Sequence, residues 1–246
     1  LSTTGKQKYM AFTFVMQNIA ANLGGMLTPF GNPQNLYLFS HFEIPTAEFM
    51  GIMVIPFAVA IVLVTLCCLI FVRRENLELK DENEMHLPPM RTAFYLILFA
   101  YSILIVFNTI PYWTGLIIIP ICLLFADRNA LQKVDYALLG TFLCFFIFAG
   151  NMSRMEPVRA LFSSLLEKDT LLVSALSCQF ISNVPSAILL SQFTENYRDL
   201  LLGVNIGGVG TLIASLASLI TFREYTKQNK GKTGYYIALF SAFNFA

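Results

Sequence analysis

Two short stretches hold the residues best suited to chemistry in this chain. Ala21-Asn22-Leu23-Gly24-Gly25-Met26-Leu27-Thr28 returns as Val204-Asn205-Ile206-Gly207-Gly208-Val209-Gly210-Thr211, with Asn, both glycines and Thr matched at a constant offset of 183 residues. Each glycine weakens a helix by about 1 kcal/mol relative to alanine. In the first copy Pro29 and Pro33 also remove backbone donors and crowd the preceding turn, so residues 28–35 are expected to be non-helical. A third interruption, Ser182-Asn183-Val184-Pro185-Ser186, sits in the middle of the uncharged run 170–194. Unwound backbone inside apolar sequence exposes carbonyl oxygens that can ligate a small cation. It also creates half-helix N-termini, whose positive dipole ends favour an anion. Such backbone is tolerated at membrane depth only where protein or a watery cavity satisfies it. The chemistry on offer is the binding of a charged solute. The sequence shows no nucleophile–base pair or metal triad, so the chain reads as a non-enzyme with no cofactor.

Long apolar helices must hold these breaks. Hydrophobic residues make up 56% of the 246 and charged residues 13%, against about 25% charged in a soluble domain. Residues 9–40, 53–72, 92–126, 136–153, 170–194 and 200–222 contain no Asp, Glu, Lys or Arg. A bilayer-spanning helix needs about 20 largely apolar residues, and most of these runs qualify. The expected class is an all-α polytopic membrane protein. A net charge of +1 offers no basic face to nucleic acid. Cys67, Cys68, Cys122, Cys144 and Cys178 lie in apolar stretches without CxxC spacing and read as buried small hydrophobes. His41 and His86 are placed in loops. Leu1 opens without a signal-peptide pattern, and Ala246 falls about 14 residues into an uncharged run from Thr233, so both ends read as cut from a larger protein.

Lys and Arg gather on cytoplasmic loops. With Lys6 and Lys8 inside, residues 9–40 cross outward and the acidic loop 41–52 lies outside. Residues 53–72 return to an inner loop carrying Arg73, Arg74, Lys80 and Arg91. Residues 92–126 make two spans that turn at Pro111-Tyr112-Trp113, and 136–153 cross outward. Met155, Val158, Leu161, Phe162, Leu165 and Leu166 then recur at helical spacing, marking an amphipathic helix on the outer interface. Ser153 and Glu156 are read as its capping box. If 170–194 spanned as a proline-broken helix, Lys and Arg would divide 9 inside to 7 outside; if it turns back at 183–185, they divide 12 to 4. Charge bias favours a re-entrant hairpin, after which 200–222 runs inward. The two Gly-Gly copies then point in opposite directions, the mark of an inverted-topology repeat. Asn108, Asn151 and Gln179 are read as interhelical or interfacial hydrogen-bonding groups.

Several of these stretches together resemble the ion transporter superfamily. They are Asn22-Leu23-Gly24-Gly25, residues 28–35, Lys133-Val134-Asp135-Tyr136, Phe145-Phe146-Ile147-Phe148-Ala149-Gly150-Asn151 and Ile181-Ser182-Asn183-Val184-Pro185. The superfamily includes arsenite efflux permeases, D-type sodium/proton antiporters, citrate–metal permeases and divalent-anion/sodium symporters. The resemblance covers nearly the whole chain, in order, and specifies no substrate. It implies two inverted repeats, each with a re-entrant hairpin ending in Ser-Asn and a following discontinuous helix. It also implies a homodimer whose transport domain slides against a scaffold. On that plan 1–72 is the transport-domain part of repeat one, 73–90 a cytoplasmic loop, and 91–152 the scaffold helices of repeat two. Residues 153–246 then hold the interfacial helix, the hairpin, the second discontinuous helix and the start of the last helix.

The same resemblance implies a cation site at Ser182, Asn183, Asn205, Gly207, Gly208 and Gly210, with a counterpart at Asn22, Gly24, Gly25 and Gly31, where sodium could bind. It implies that Asn183, Pro185, Ser186, Thr211, Asn32 and Thr28 meet the solute. The symporter branch has Thr after Ser-Asn; Val184-Pro185 stands nearer the arsenite and antiporter branches. Glu43, Glu48, Asp127, Asp135, Glu195 and Asp199 all fall at span ends, so the sequence offers no mid-span proton relay. No cysteine neighbours Asn183 or either Gly-Gly to chelate arsenite. The expected function is secondary active transport of an inorganic or organic anion in a prokaryotic inner (plasma) membrane. Coupling is to sodium first and protons second, with a sodium/proton antiporter or an arsenite-type efflux permease as alternatives. A channel would need a polar stripe that 53–72 and 92–110 lack. A non-transporting scaffold or sensor is the remaining class, and the loop 73–90 is too short to be a signalling domain.

Overall fold

The computed structural model describes residues 9–72 and 88–245. Lys6, Lys8, Arg73, Arg74, Lys80 and His86, on which part of the charge topology rests, lie outside the described residues. Among those described, the chain forms thirteen α-helices and no strand. It divides into two compact units. One holds α1 (Met10–Gly24), α2 (Pro33–His41), α3 (Thr46–Phe71) and the C-terminal part of α7 (Tyr136–Met152). The same unit continues with α8 (Glu156–Lys168), α9 (Thr170–Ile181), α10 (Asn183–Leu190), α11 (Tyr197–Ile206), α12 (Leu216–Gln228) and α13 (Thr233–Asn244). The other unit holds α4 (Pro89–Val106), α5 (Tyr112–Ala126), α6 (Arg128–Gln132) and the first part of α7.

Composition decides where the long helices sit. The 26 residues of α3, with a mean hydropathy of 3.0, rise about 39 Å at 1.5 Å each, more than a hydrocarbon core of about 30 Å. Ile55 and Ile70 on α3 are 71% and 72% exposed, which lipid tolerates and water does not. Two helices, α3 and α4, are long and apolar enough to cross a membrane, or three spans if the bent pair α7 and α8 makes one. The α4–α5 turn falls just before Pro111, as expected, with Asn108 in the left-handed region at φ 54°.

Four sequence expectations need correction. Helix α3 begins at Thr46, not after a loop ending at 52, because Pro45 sets its N-cap and Glu48 suits the positive first turn. His41 closes α2 instead of lying in a loop. Pro33, Gln34 and Asn35 are helical: Pro33 opens α2 at a position whose N–H would be unpaired in any case. Ser153 does not cap α8. Its hydroxyl donates to the Gly150 carbonyl at the end of α7, and Pro157 fixes a new start after a 97° bend.

In the first unit α1 is wrapped by its neighbours and runs antiparallel to α12. Asn229 meets Met10, Tyr225 meets Phe14, Ser218 meets Asn18 and Ser215 meets Asn22, so α1 ascends as α12 descends. Met10, Phe12, Val15, Met16 and Ile19 pack with Tyr225, Tyr236 and Phe240 to make the core there. The hairpin is equally plain. Ser177 and Ser186 hydroxyls are 2.9 Å apart although nine residues separate them, whereas a continuous helix would part their Cα atoms by about 13 Å. Helices α9 and α10 therefore fold back on each other at Ser182, whose φ is 71°.

Candidate functional site: two helix breaks and a hairpin tip

The break in the first copy begins where glycine ends α1. Residues 25–27 tighten into a 3-10 turn, Thr28 is extended, and the chain re-enters helix after the extended N-cap Asn32. In the second copy α11 stops at Ile206 with Gly207 as its cap, and the chain re-enters helix after the extended N-cap Ser215. Asn32 and Ser215 are themselves 183 residues apart, so the offset read at the glycines carries through both breaks. Their N-cap dihedrals agree as well, φ −138° and ψ 147° against φ −146° and ψ 154°.

Each break is held open by close approach that only glycine permits. A Cβ on Gly31 would collide with the Gly25 backbone, and one on Gly25 would collide with Asn32 and the Gly31 carbonyl. A Cβ on Gly208 would lie 2.7 Å from Asn183 Nδ2, and one on Gly207 would lie 2.6 Å from the Ala175 carbonyl. Gly24 is different. Nothing lies within 4 Å of its Cβ position, and it borders an apolar cavity of about 130 Å³ with Ala20, Leu23, Ala60, Ile61, Val64 and Thr65.

The hairpin tip docks on the second break. Asn183 N donates to the Ala214 carbonyl at 2.9 Å, and the Ser182 hydroxyl donates to the same oxygen at 3.3 Å. Asn183 Oδ1 accepts from Val184 N, which leaves its amide nitrogen facing Gly208. From α9, Gln179 Nε2 donates to the Gly207 carbonyl at 2.8 Å while its Oε1 accepts Thr211 N at 2.8 Å. The Thr211 hydroxyl donates to the Gln179 carbonyl at 3.0 Å, and Gly210, at φ 151°, lies against the Gln179 side chain. Gln179 thus makes the interhelical bond expected of it, with the break itself as partner.

Amide and hydroxyl groups cross-tie the two breaks. Asn22, one turn before the first break, donates to Ser215 Oγ at 2.8 Å, at the head of α12. Asn205, one turn before the second, donates to Asn35 Oδ1 at 2.6 Å and accepts from Gln34 Nε2 at 3.3 Å, both at the head of α2. Asn35 turns its Nδ2 toward the carbonyls of Gly25, Met26 and Thr28, and Asn32 Nδ2 donates to the Asn22 carbonyl at 2.8 Å. Ser215 and Ser218 share a hydroxyl contact of 2.8 Å, and Ser218 donates to Asn18. Asn18, Asn22, Gln34, Asn35, Asn183, Asn205, Ser215 and Ser218 are each at most 6% exposed. Burying so many polar groups is costly unless they are paired, as nearly all of them are.

The structure therefore brings together Asn22, Gly25, Thr28, Gly31, Asn32, Ser182, Asn183, Asn205, Gly207, Gly208, Gly210 and Thr211. Two expected solute residues lie apart. Ser186 is inside the hairpin against Ser177, and Pro185 borders a small apolar cavity with Phe145, Phe148, Ala149, Ile181 and Leu189. Sequence reasoning assigned no role to Asn18, Gln34, Asn35, Ser215 or Ser218. The repeat offset could have found two of them, since Asn35 and Ser218 are also 183 residues apart.

Broken helices, a folded-back hairpin and lipid-facing apolar spans define an all-α integral membrane protein. The chain belongs to the citrate transporter family, whose model matches residues 5–197. It is 36% identical over 212 residues to an uncharacterized transporter of Methanocaldococcus jannaschii and 30% identical over 217 residues to the inner membrane protein YbiR of Escherichia coli. Each match covers 85% of this chain and 57% of the relative, so the chain spans little more than half the length of the curated relatives it matches. No solved structure matches it.

Proposed function

We propose that this chain is the substrate-binding part of a secondary active transporter that carries an inorganic or organic anion, driven by sodium. The observation that carries the proposal is the convergence of the Ser182-Asn183 tip with the breaks at 25–32 and 207–215. The groups gathered there are neutral oxygens and amides. Hard cations such as sodium favour carbonyl and amide oxygens, and an anion gains from amide donors and the helix starts at Asn183, Pro33 and Leu216. The repeated break, its constant offset and the antiparallel course of α1 and α12 support an inverted repeat of the kind that places substrate near the membrane midplane. On this reading the protein works as a homodimer by an elevator-like movement. The family match and the Escherichia coli relative's name favour a prokaryotic inner membrane.

The test is accumulation of labelled citrate, other carboxylates and oxyanions by vesicles containing the full-length protein, with and without an inward sodium gradient. Sodium-driven accumulation of at least one anion is expected, and Asn183→Ala should lower it by about a hundredfold or more with membrane insertion intact, as loss of a positioned binding group can do. Accumulation that ignores sodium, or an Asn183→Ala protein that transports normally, would overturn the proposal.

A further inference from the structure

The first break is already occupied by a side chain of this protein. Asn35 Nδ2 lies 3.3 Å from the Gly25 carbonyl, 3.3 Å from Met26 and 3.5 Å from Thr28. Three carbonyls thus share one amide nitrogen that has two hydrogens, and all three distances fall beyond the usual range for a strong N–H···O bond. The orientation is fixed from both sides. Carbonyl oxygens accept and do not donate, so the nitrogen must face them, and Asn35 Oδ1 is held by Asn205 Nδ2 at 2.6 Å. Asn205 spends its other hydrogen on the Leu201 carbonyl at 2.8 Å and its oxygen on Gln34 Nε2, so it has no spare group with which to follow Asn35 elsewhere.

We propose that the Asn35 carboxamide is a displaceable plug: it stands in for a cation among the carbonyls of the first break, and its displacement is felt by Asn205 at the edge of the second. The inference rests on the sodium-coupled reading above and names the device that regulates that same site. A sodium ion offers the three carbonyls a full charge in place of a shared, stretched amide, so it wins them when present. The displaced amide cannot keep both its nitrogen off the carbonyls and its oxygen on Asn205 in the same geometry. Asn205 then re-pairs one turn before Gly207 and Gly208, whose backbone faces the hairpin tip. Occupancy of one break is thereby linked to the other, and such a linkage acts equally in both directions.

The plug and a merely structural Asn35 differ in the sign of an effect. Removing a plug removes a competitor, because the empty site loses the pairing that stabilised it. The experiment titrates the full-length protein with sodium chloride at constant ionic strength, using choline as the replacement, and follows the thermal midpoint. The unmodified protein should respond with a slope steeper than that of one site. Asn35→Ala should halve-saturate at about threefold to tenfold lower sodium, the range expected for loss of weak hydrogen bonds, with a slope near that of independent sites. Asn205→Ala, which leaves the plug on the carbonyls, should keep the half-saturation point and lose the steep slope. A higher half-saturation point in Asn35→Ala, or a steep slope kept in both variants, would overturn the plug. A flat response of the unmodified protein would overturn the sodium-coupled reading and the plug with it. A normal sodium response that Asn35→Ala leaves unchanged would overturn the plug alone.

Discussion

Gly24 and Gly208 are equivalent in the sequence reading and unlike in the fold. A methyl group on Gly208 meets Asn183 Nδ2 at 2.7 Å, while one on Gly24 meets open space beside an apolar cavity. Gly208→Ala should therefore push the hairpin tip off the second break and reduce anion accumulation by tenfold or more, roughly what misplacing a binding group can cost. Gly24→Ala should do much less harm and should add helix stability of about 1 kcal/mol at the end of α1. Equal losses in the two variants, measured as uptake per inserted protein, would contradict this assignment. The glycines and prolines were legible because each acts on its own backbone, which a sequence displays directly. Asn35 was not legible as a partner of Asn205, because hydrogen bonds 170 residues apart exist only once the repeats have packed. Pro33 misled for a local reason: proline breaks a helix interior but suits its first position.

The hairpin shows how a charge rule and side-chain geometry can agree. Lys and Arg bias favoured a chain that turns back at 183–185, and the Ser177–Ser186 contact shows α9 and α10 folded together there. The false capping box at Ser153 and Glu156 shows the limit of spacing alone, since Pro157 already determined where α8 could begin. In the second unit, Asp127 joins the end of α5 to the start of α4. Its carboxylate accepts from Tyr95 and Arg91, and it caps α6 through Ala130 N. The Tyr95 hydroxyl first, and the Arg91 guanidinium next, hold the Asp127 carboxyl below the usual carboxylate range. Because the folded value is the lower one, the tie is fully present above the ordinary carboxylate pKa of about 4 and is lost as pH falls through the depressed value. Acidification below about pH 4 should lower the thermal midpoint of the unmodified protein more than that of Asp127→Asn. Parallel pH profiles for the two proteins would show that this tie contributes nothing.

Taken as a whole, the molecule puts lipid-facing apolar helices around a buried polar crossing. Composition made the membrane class legible, since uncharged runs of spanning length have few other uses. The polar crossing was legible only in outline, as two repeated breaks and a tip, because the pairing of amides and hydroxyls depends on α1 and α12 running side by side. The central claim is that this crossing binds a transported anion and its cation. The most direct measurement is a ligand-bound structure of the full-length protein in lipid, prepared with sodium and an anion that it accumulates. The account expects density for the anion against Asn183 and the helix starts at Pro33 and Leu216, with a cation among the carbonyls of 25–28 or 207–211. Solute density elsewhere, with the Ser182-Asn183 tip and both breaks empty at saturating ligand, would contradict it.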